Sequence, residues 1–258
     1  MDNIRGMIQK HRRPLSFLCT ALAAVLILWT VNNPAIVGAS ATERQLPIYC
    51  VQRDDKKIAI SFDAAWGNED TQKLIDILSA YGVRSTFFVV GDWAEKYPES
   101  VKSLHEAGHE VMSHSSHHDH FSMMSAEQIA ADLREANRKI SASTGVEPSL
   151  FRCPYGEYDD HVIQTVKSLG MTAIQWSVDS LDWKGIDADE ISRRVLKRVE
   201  PGSIVLFHNA AEHTPEALPG ILEELQRQGY TIVPVSELLL EGNTRIDHAG
   251  RQLPAESI

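Results

Sequence analysis

At 258 residues, with 43% hydrophobic and 23% charged side chains, the chain has the composition of one globular domain rather than of a disordered or fibrous one. The formal net charge is −10, and residues 42–258 carry 21 basic against 34 acidic side chains with no basic stripe. Repulsion therefore excludes nucleic acid as a partner and favours a neutral one. Three cysteines are too few for a disulfide scaffold; one bridge between Cys50 and Cys153, or two lone thiols, are both open.

Taken in order, residues 1–13 hold Arg5, Lys10, Arg12 and Arg13 against one acid, Asp2, and precede an uncharged run of 17 residues at 15–31. A basic flank, an apolar run and the small residues Ala39-Ser40-Ala41 describe an export signal or membrane anchor over 1–41. The run is at the lower limit for a membrane span, so cleaved export and retained anchoring both remain open. Either way the positive flank stays inside and the body is exported, with anchoring to the outer face of the cytoplasmic membrane the expectation. A short linker is expected over 42–55.

From residue 56 the chain alternates apolar, β-rich runs with amphipathic segments. Strands are predicted at 57–62, 85–90, 109–113, 150–153, 172–176, 203–207 and 230–233, and helices at about 69–81, 92–107, 125–142, 159–169, 187–199 and 215–229. Ser125 followed by Gln128 marks a helix start, and Gly82, Gly108, Gly170 and Gly229 sit where helices hand over to strands. Seven strands alternating with helices give an α/β architecture with a parallel sheet. No GxGxxG or GKS/T string is present, which speaks against a nucleotide site. The final stretch, 241–258, lacks periodicity and is expected to be a mobile polar tail.

The unusual polar residues fall at one end of successive strands: Asp63, His114 and His118, Arg152, Asp179 and His208. Chemistry drawn from several strand ends onto one face favours a distorted (β/α) barrel with about seven parallel strands over an open sheet with a single switch point. The densest cluster is Ser113-His114-Ser115-Ser116-His117-His118-Asp119-His120. Its imidazoles suit a borderline metal such as zinc. His114 and His118, four apart, can share a side; His117 and His120 are expected to be solvated loop residues.

Five stretches, Ser61-Phe62-Asp63, Ser113 to His118, Arg152-Cys153-Pro154-Tyr155-Gly156, Asp179-Ser180-Leu181-Asp182-Trp183 and Leu206-Phe207-His208, resemble in order and spacing the motifs of the polysaccharide deacetylases, carbohydrate esterase family 4. The resemblance covers about residues 56–240. It implies a distorted barrel and metal-dependent removal of N-acetyl groups from an amino sugar of a cell-wall polysaccharide, with an N-acetylated glycan, peptidoglycan, as substrate. It assigns His114 and His118 to a divalent metal, zinc; Asp63 as base; Arg152 as its partner; His208 as acid; Asp179 as the carboxylate raising the pKa of His208; and the Tyr155 backbone N–H as oxyanion donor. Trp183 and Leu206 would receive the acetyl methyl, and Asp182 would be structural. The family's usual second aspartate, a metal ligand, is here Ala64. Asp119, Asn68, Glu69 or Asp70 are the candidates to replace it. Phe62 to Glu69 also looks like the variant first motif of a membrane-anchored sporulation subgroup. Two rival readings follow from Ala64: a catalytically silent glycan-binding protein, or a C–N hydrolase acting on a cyclic amide.

Overall fold

The computed structural model describes residues 22–25, 28–29 and 44–255. The chain divides into two compact units, Met1–Arg44 and Gln45–Ile258. Of the first, helical turns at 22–25 and 28–29 and Arg44 are described; the expected export or anchor segment lies mostly outside the described residues. Among the described residues no helix is long and apolar enough to cross a membrane.

The second unit is a parallel sheet wrapped by helices. Its strands are β1 (Cys50–Val51), β2 (Lys57–Ala64), β3 (Thr86–Val89), β4 (Glu110–Ser113), β5 (Leu150–Phe151), β6 (Thr172–Ala173), β7 (Val178–Asp179), β8 (Ile204–His208), β9 (Thr231–Ile232), β10 (Thr244–Ile246) and β11 (Arg251–Pro254). The principal sheet has the order β6-β5-β4-β3-β2-β8-β7, with β9 added on the first residues of β2. Every pairing in it is parallel. It curls into the distorted barrel that the alternation implies, with β6 and β7 as its two edges. The predicted strand at 172–176 stops at Ala173, and β7 follows as a separate strand on β8.

Side-chain alternation explains why the interior is layered. Along β2, Ile58, Ile60, Phe62 and Ala64 join the cluster beneath the helices, whereas Ala59 joins a second cluster with Phe88, Met112 and Ile204. The register pairs Ala59 with Ile204, Ser61 with Leu206 and Asp63 with His208. So one row runs from an apolar floor to a polar mouth. Helices α1 (Thr71–Ala80), α2 (Gly91–Lys96), α3 (Pro98–Glu106), α4 (Ala126–Thr144), α5 (Asp160–Ser168), α6 (Ala188–Arg198), α7 (Thr214–Arg227) and α8 (Val235–Leu238) follow the strands. The single helix predicted over 92–107 is two. Pro98 takes the first position of α3 and holds Tyr97 out of helical geometry, with φ −127 and ψ 56. At α4, Ser125 Oγ accepts from the Gln128 N–H while Gln128 Oε1 accepts from the Ser125 N–H. Such a cap contributes about 1 kcal/mol.

Two expectations about the ends are corrected. The stretch read as a linker contains β1, and Ile48, Cys50 and Val51 are buried. The stretch read as a mobile tail contains the antiparallel β10–β11 pair, and β11 runs parallel to β1. Sheet pairing replaces periodicity as the ordering force, because a short edge hairpin needs partner backbone more than an apolar face. Gly202 makes the docking of β1 possible: it has φ +83, its carbonyl accepts from the Val51 N–H, and a Cβ there would lie 1.7 Å from the Val51 carbonyl oxygen. Cys50 and Cys153 are both free and buried, so the two-thiol alternative is the one found.

Candidate active site

A cavity of about 460 Å³ opens at the C-terminal ends of the principal strands. Asp63, His114, His118, Tyr155, Asp179, Trp183, Leu206 and His208 all line it, so residues up to 145 positions apart in sequence meet there. Behind the wall sits Arg152, wholly buried.

The acidic half is built on β2. Asp63 Oδ1 accepts from Arg152 Nη1 at 2.7 Å, and Arg152 Nη2 donates to Ser61 Oγ at 2.9 Å and to the Gln175 carbonyl at 3.2 Å. The guanidinium lies 4.0 Å over the Phe88 ring, on the apolar floor. Burial pushes the Asp63 carboxyl up, but the charge and hydrogen bond of Arg152 above all outweigh it and hold it below the usual carboxylate range. Asp63 therefore stands ionised and oriented.

His208, the register partner of Asp63 on β8, is tied to a different carboxylate from the one expected. Its Nδ1 pairs with Asp182 Oδ1 at 2.8 Å, and its backbone N–H donates to Asp182 Oδ2 at 2.8 Å. Thr214 Oγ1 donates to Asp182 Oδ2 as well, and Asp182 is buried. Asp179 instead accepts from the Leu181 N–H at 2.8 Å and so shapes the turn that returns Asp182 to the strand end. The roles read from the motif are thus exchanged: Asp182 grips the imidazole, while Asp179 lines the cavity and adds only its charge at longer range. Burial lowers the pKa of His208, yet the bond to Asp182 together with the charges of Asp182, Asp63 and Asp179 leaves it raised. A two-carboxylate motif gave sequence no means of telling which member closes the turn and which reaches the ring.

His114 and His118 form the third group. Their rings meet edge to face with centroids 4.9 Å apart. His114 Nδ1 lies 2.8 Å from the Arg152 carbonyl oxygen, which can only accept, so Nδ1 carries the hydrogen and Nε2 keeps its lone pair toward the cavity. Nε2 is 3.5 Å from Asp63 Oδ2. Burial lowers the pKa of both rings, His118 to about 4, which keeps them in the neutral, ligating form. That is the donor chemistry of a metal site. The third protein donor is not supplied: Ala64 is buried in the helix-side cluster, and Asn68, Glu69, Asp70 and Asp119 do not line the cavity. Asn68 donates to Ser100 Oγ, and Asp70 Oδ2 accepts from the Ala210 N–H. Among the described residues no group of three or more His, Cys, Asp or Glu is arranged to hold an ion. The two rings fit an ion completed by water or substrate, held less firmly than by three protein ligands.

The rest of the rim is backbone and ring. Tyr155 sits at φ +59, a conformation costly for a residue with a Cβ. Gly156 beside it has no such choice, since a Cβ would meet Trp176 at 2.9 Å. His120, expected to be idle, stacks on Tyr155 at 4.3 Å and bonds Glu157 Oε2 through Nδ1 at 2.8 Å. His117, likewise, is held by Asp92 Oδ2 at 2.9 Å. Both are exposed, as expected, but neither is without a partner. Trp183 and Leu206 both reach the cavity wall.

Comparison with known proteins agrees with this geometry. The family model for polysaccharide deacetylase matches residues 51–174. The peptidoglycan-N-acetylmuramic acid deacetylase PdaA of Bacillus subtilis is 31% identical over 212 residues, covering 80% of this chain and 80% of that protein. The uncharacterized protein YlxY of Bacillus subtilis is 31% identical over 195 residues, 76% of this chain, which spans 61% of that longer protein. Among solved structures, BA3943 of Bacillus anthracis, described as a carbohydrate esterase family 4 pseudoenzyme, superposes with a TM-score of 0.72 at 33% identity, over 74% of this chain and 68% of that one. By motif order, barrel and relatives together, this chain belongs to the polysaccharide deacetylase family, hydrolases that act on the carbon–nitrogen bond of N-acetyl groups.

Proposed function

We propose that the protein deacetylates an amino sugar of an N-acetylated cell-wall glycan, with peptidoglycan as the substrate. The observation that carries this reading is the side-by-side placement of Asp63, held ionised, and His208, held able to carry a proton, in one cavity. In the reaction, Asp63 takes a proton from a water whose oxygen attacks the acetyl carbon. The carbonyl oxygen gains negative charge, and the Tyr155 backbone N–H is the donor proposed to meet it, a contact worth ~3–4 kcal/mol. His208 then delivers its proton to nitrogen as the C–N bond breaks, leaving acetate and a free amine. Trp183 and Leu206 enclose the acetyl methyl. His114 and His118 are the residues that would hold a divalent ion, zinc by donor type, whose chemistry is to polarise the carbonyl and acidify water.

The basic and apolar N-terminal run supports export and anchoring at the outer face of the cytoplasmic membrane, and the Phe62-to-Glu69 stretch supports a role in the sporulation subgroup. Acetate release from N-acetylglucosamine oligomers and from muropeptides, compared between wild type and Asp63→Asn, tests the activity. Release by the wild type alone is expected; none from either substrate under any added divalent metal overturns it.

A second reading is favoured by the incomplete donor set: a glycan-binding protein without catalysis, in line with the pseudoenzyme description of BA3943. It requires no stoichiometric metal and the same glycan affinity in His114→Ala. The investment in Arg152 and Asp182 behind two reactive side chains argues for the enzyme.

A further inference from the structure

The loop that carries the paired imidazoles is backbone under constraint: Ser115 and His118 stand at φ +71 and +60, which is costly for residues with a Cβ. Such backbone persists only where its surroundings over-determine it. Within the loop, Ser115 Oγ accepts from the His118 N–H at 2.8 Å. From outside, two helices hold it. At the start of α2 the Gly91 and Asp92 N–H groups donate to the Ser115 and Ser116 carbonyls at 2.8 and 2.9 Å. From α4 comes Asp132, whose Oδ1 accepts from the Ser116 N–H at 2.8 Å. Lys139 lies two turns further along the same face of α4. Its side chain is 5% exposed, and its Nζ meets Asp92 at 2.7 Å, Glu135 at 3.1 Å and Glu95 at 3.2 Å, so α2 is fastened to α4 beside the loop. The three segments touch at Gly91, where a Cβ would stand 3.1 Å from Ser116 Cα and 3.2 Å from Ala136 Cα.

Asp132 does not line the cavity, and no proton transfer described above needs it. It is also a costly residue to keep. The side chain is buried, and its Oδ2 has no partner among the described residues. A buried carboxylate oxygen left unbonded lowers stability, so packing alone would be served better by an apolar side chain. We propose that Asp132 is a positioning residue for the two imidazoles. By holding the Ser116 N–H it keeps Ser115 and His118 in their left-handed conformations, and so sets the His118 ring against that of His114. Lys139 serves the same end at one remove, by fixing against α4 the helix that holds two loop carbonyls. The inference rests on the reading of these rings as the holders of a divalent ion and extends it to a residue 16 positions beyond Ser116. With two protein donors instead of three, the placement of those two decides how firmly an ion is held.

Zinc titration of the metal-free full chain by calorimetry tests the proposal, with hydrogen exchange of the 113–120 segment read on the same samples. Asp132→Leu, which keeps the bulk and removes the acceptor, weakens zinc about tenfold and speeds exchange in the segment. Asp132→Asn, which retains an oxygen for the Ser116 N–H, stays within about twofold of the wild type, and Lys139→Met loses about threefold. Should Asp132→Leu not fold, Asp132→Ala carries the same expectation. Val195→Ala, a core truncation on α6, is the control for a general loss of stability: it lowers the melting temperature and leaves zinc affinity unchanged. Wild-type zinc affinity in Asp132→Leu, an equal loss in Asp132→Leu and Asp132→Asn, or an equal loss in Val195→Ala overturns the positioning role while the metal reading stands. A wild type that binds no zinc sinks both. Zinc affinities as expected without acetate release remove the deacetylase reading alone.

Discussion

The two halves of the cavity are built to different standards. On the acid–base side, Asp63 leans on a wholly buried Arg152 that is itself bonded to Ser61 and Gln175, and His208 leans on a buried Asp182 that Thr214 supports. Each ionised group has a fixed counter-charge. On the imidazole side, His114 is oriented by the Arg152 carbonyl, but the ligand that would complete a three-donor set is replaced by Ala64 among apolar neighbours. The acid–base geometry is held by burying Asp63, Arg152 and Asp182, whereas among the described residues no third protein donor joins the two rings. The difference says that positioned protons are the part of this site the fold maintains most firmly.

Breaking the firm half has the largest consequences. Arg152→Gln leaves Asp63 buried without its partner, so stability falls by about 3–5 kcal/mol and activity by roughly a thousandfold. The surviving activity has its acidic limb at higher pH. Asp63 is held below the usual carboxylate range, so its pairing stabilises the fold above that range and the contribution is lost as pH falls through the folded value. Without the guanidinium that loss begins at higher pH, which thermal melts across pH record. Asp182→Asn comes next, with about a hundredfold loss at neutral pH. His208 has a raised pKa, so the wild-type alkaline limb lies above the ordinary imidazole value and shifts downward in the variant. Its pairing stabilises the fold below that ordinary value and ceases to do so as pH rises through the folded one. Asp179→Asn, by contrast, shifts that limb only slightly. An equal shift in both variants would erase the distinction drawn between the two aspartates.

The loose half is tested by titration with zinc. Wild-type protein is expected to lose the ion on dialysis and regain it reversibly, and His118→Ala to bind it more weakly by at least about tenfold. Retention of one ion through dialysis would mean that a third donor closes the site after all. The smallest effect expected is in His120→Ala, where loss of the ring stacked on Tyr155 reduces kcat about threefold with little change in melting temperature.

Much of this was legible before any coordinates. Short apolar, β-rich runs, several entered just after a glycine at a helix end, gave the principal strands, because a strand buried on both faces must be apolar along its length. The short pieces were not legible: β1, β7, β10 and β11 hold two to four residues each and owe their existence to backbone partners supplied from elsewhere. Motif residues were legible by type, whereas their wiring was not. His120 looked like loop filler because nothing local indicates that Tyr155, 35 positions on, will lie beneath its ring.

The sequence by itself determined the alternation of strands and helices, a property of residue type and spacing along the chain; its resemblance to the polysaccharide deacetylases added the five motifs and the departure at Ala64. Only the tertiary structure decided that Asp182 rather than Asp179 holds His208, that Asn68, Glu69, Asp70 and Asp119 stand away from the cavity, and that Trp66 borders two concavities. Such facts depend on where a turn closes and on which way a side chain leaves a strand, and these are set by contacts between segments far apart in sequence.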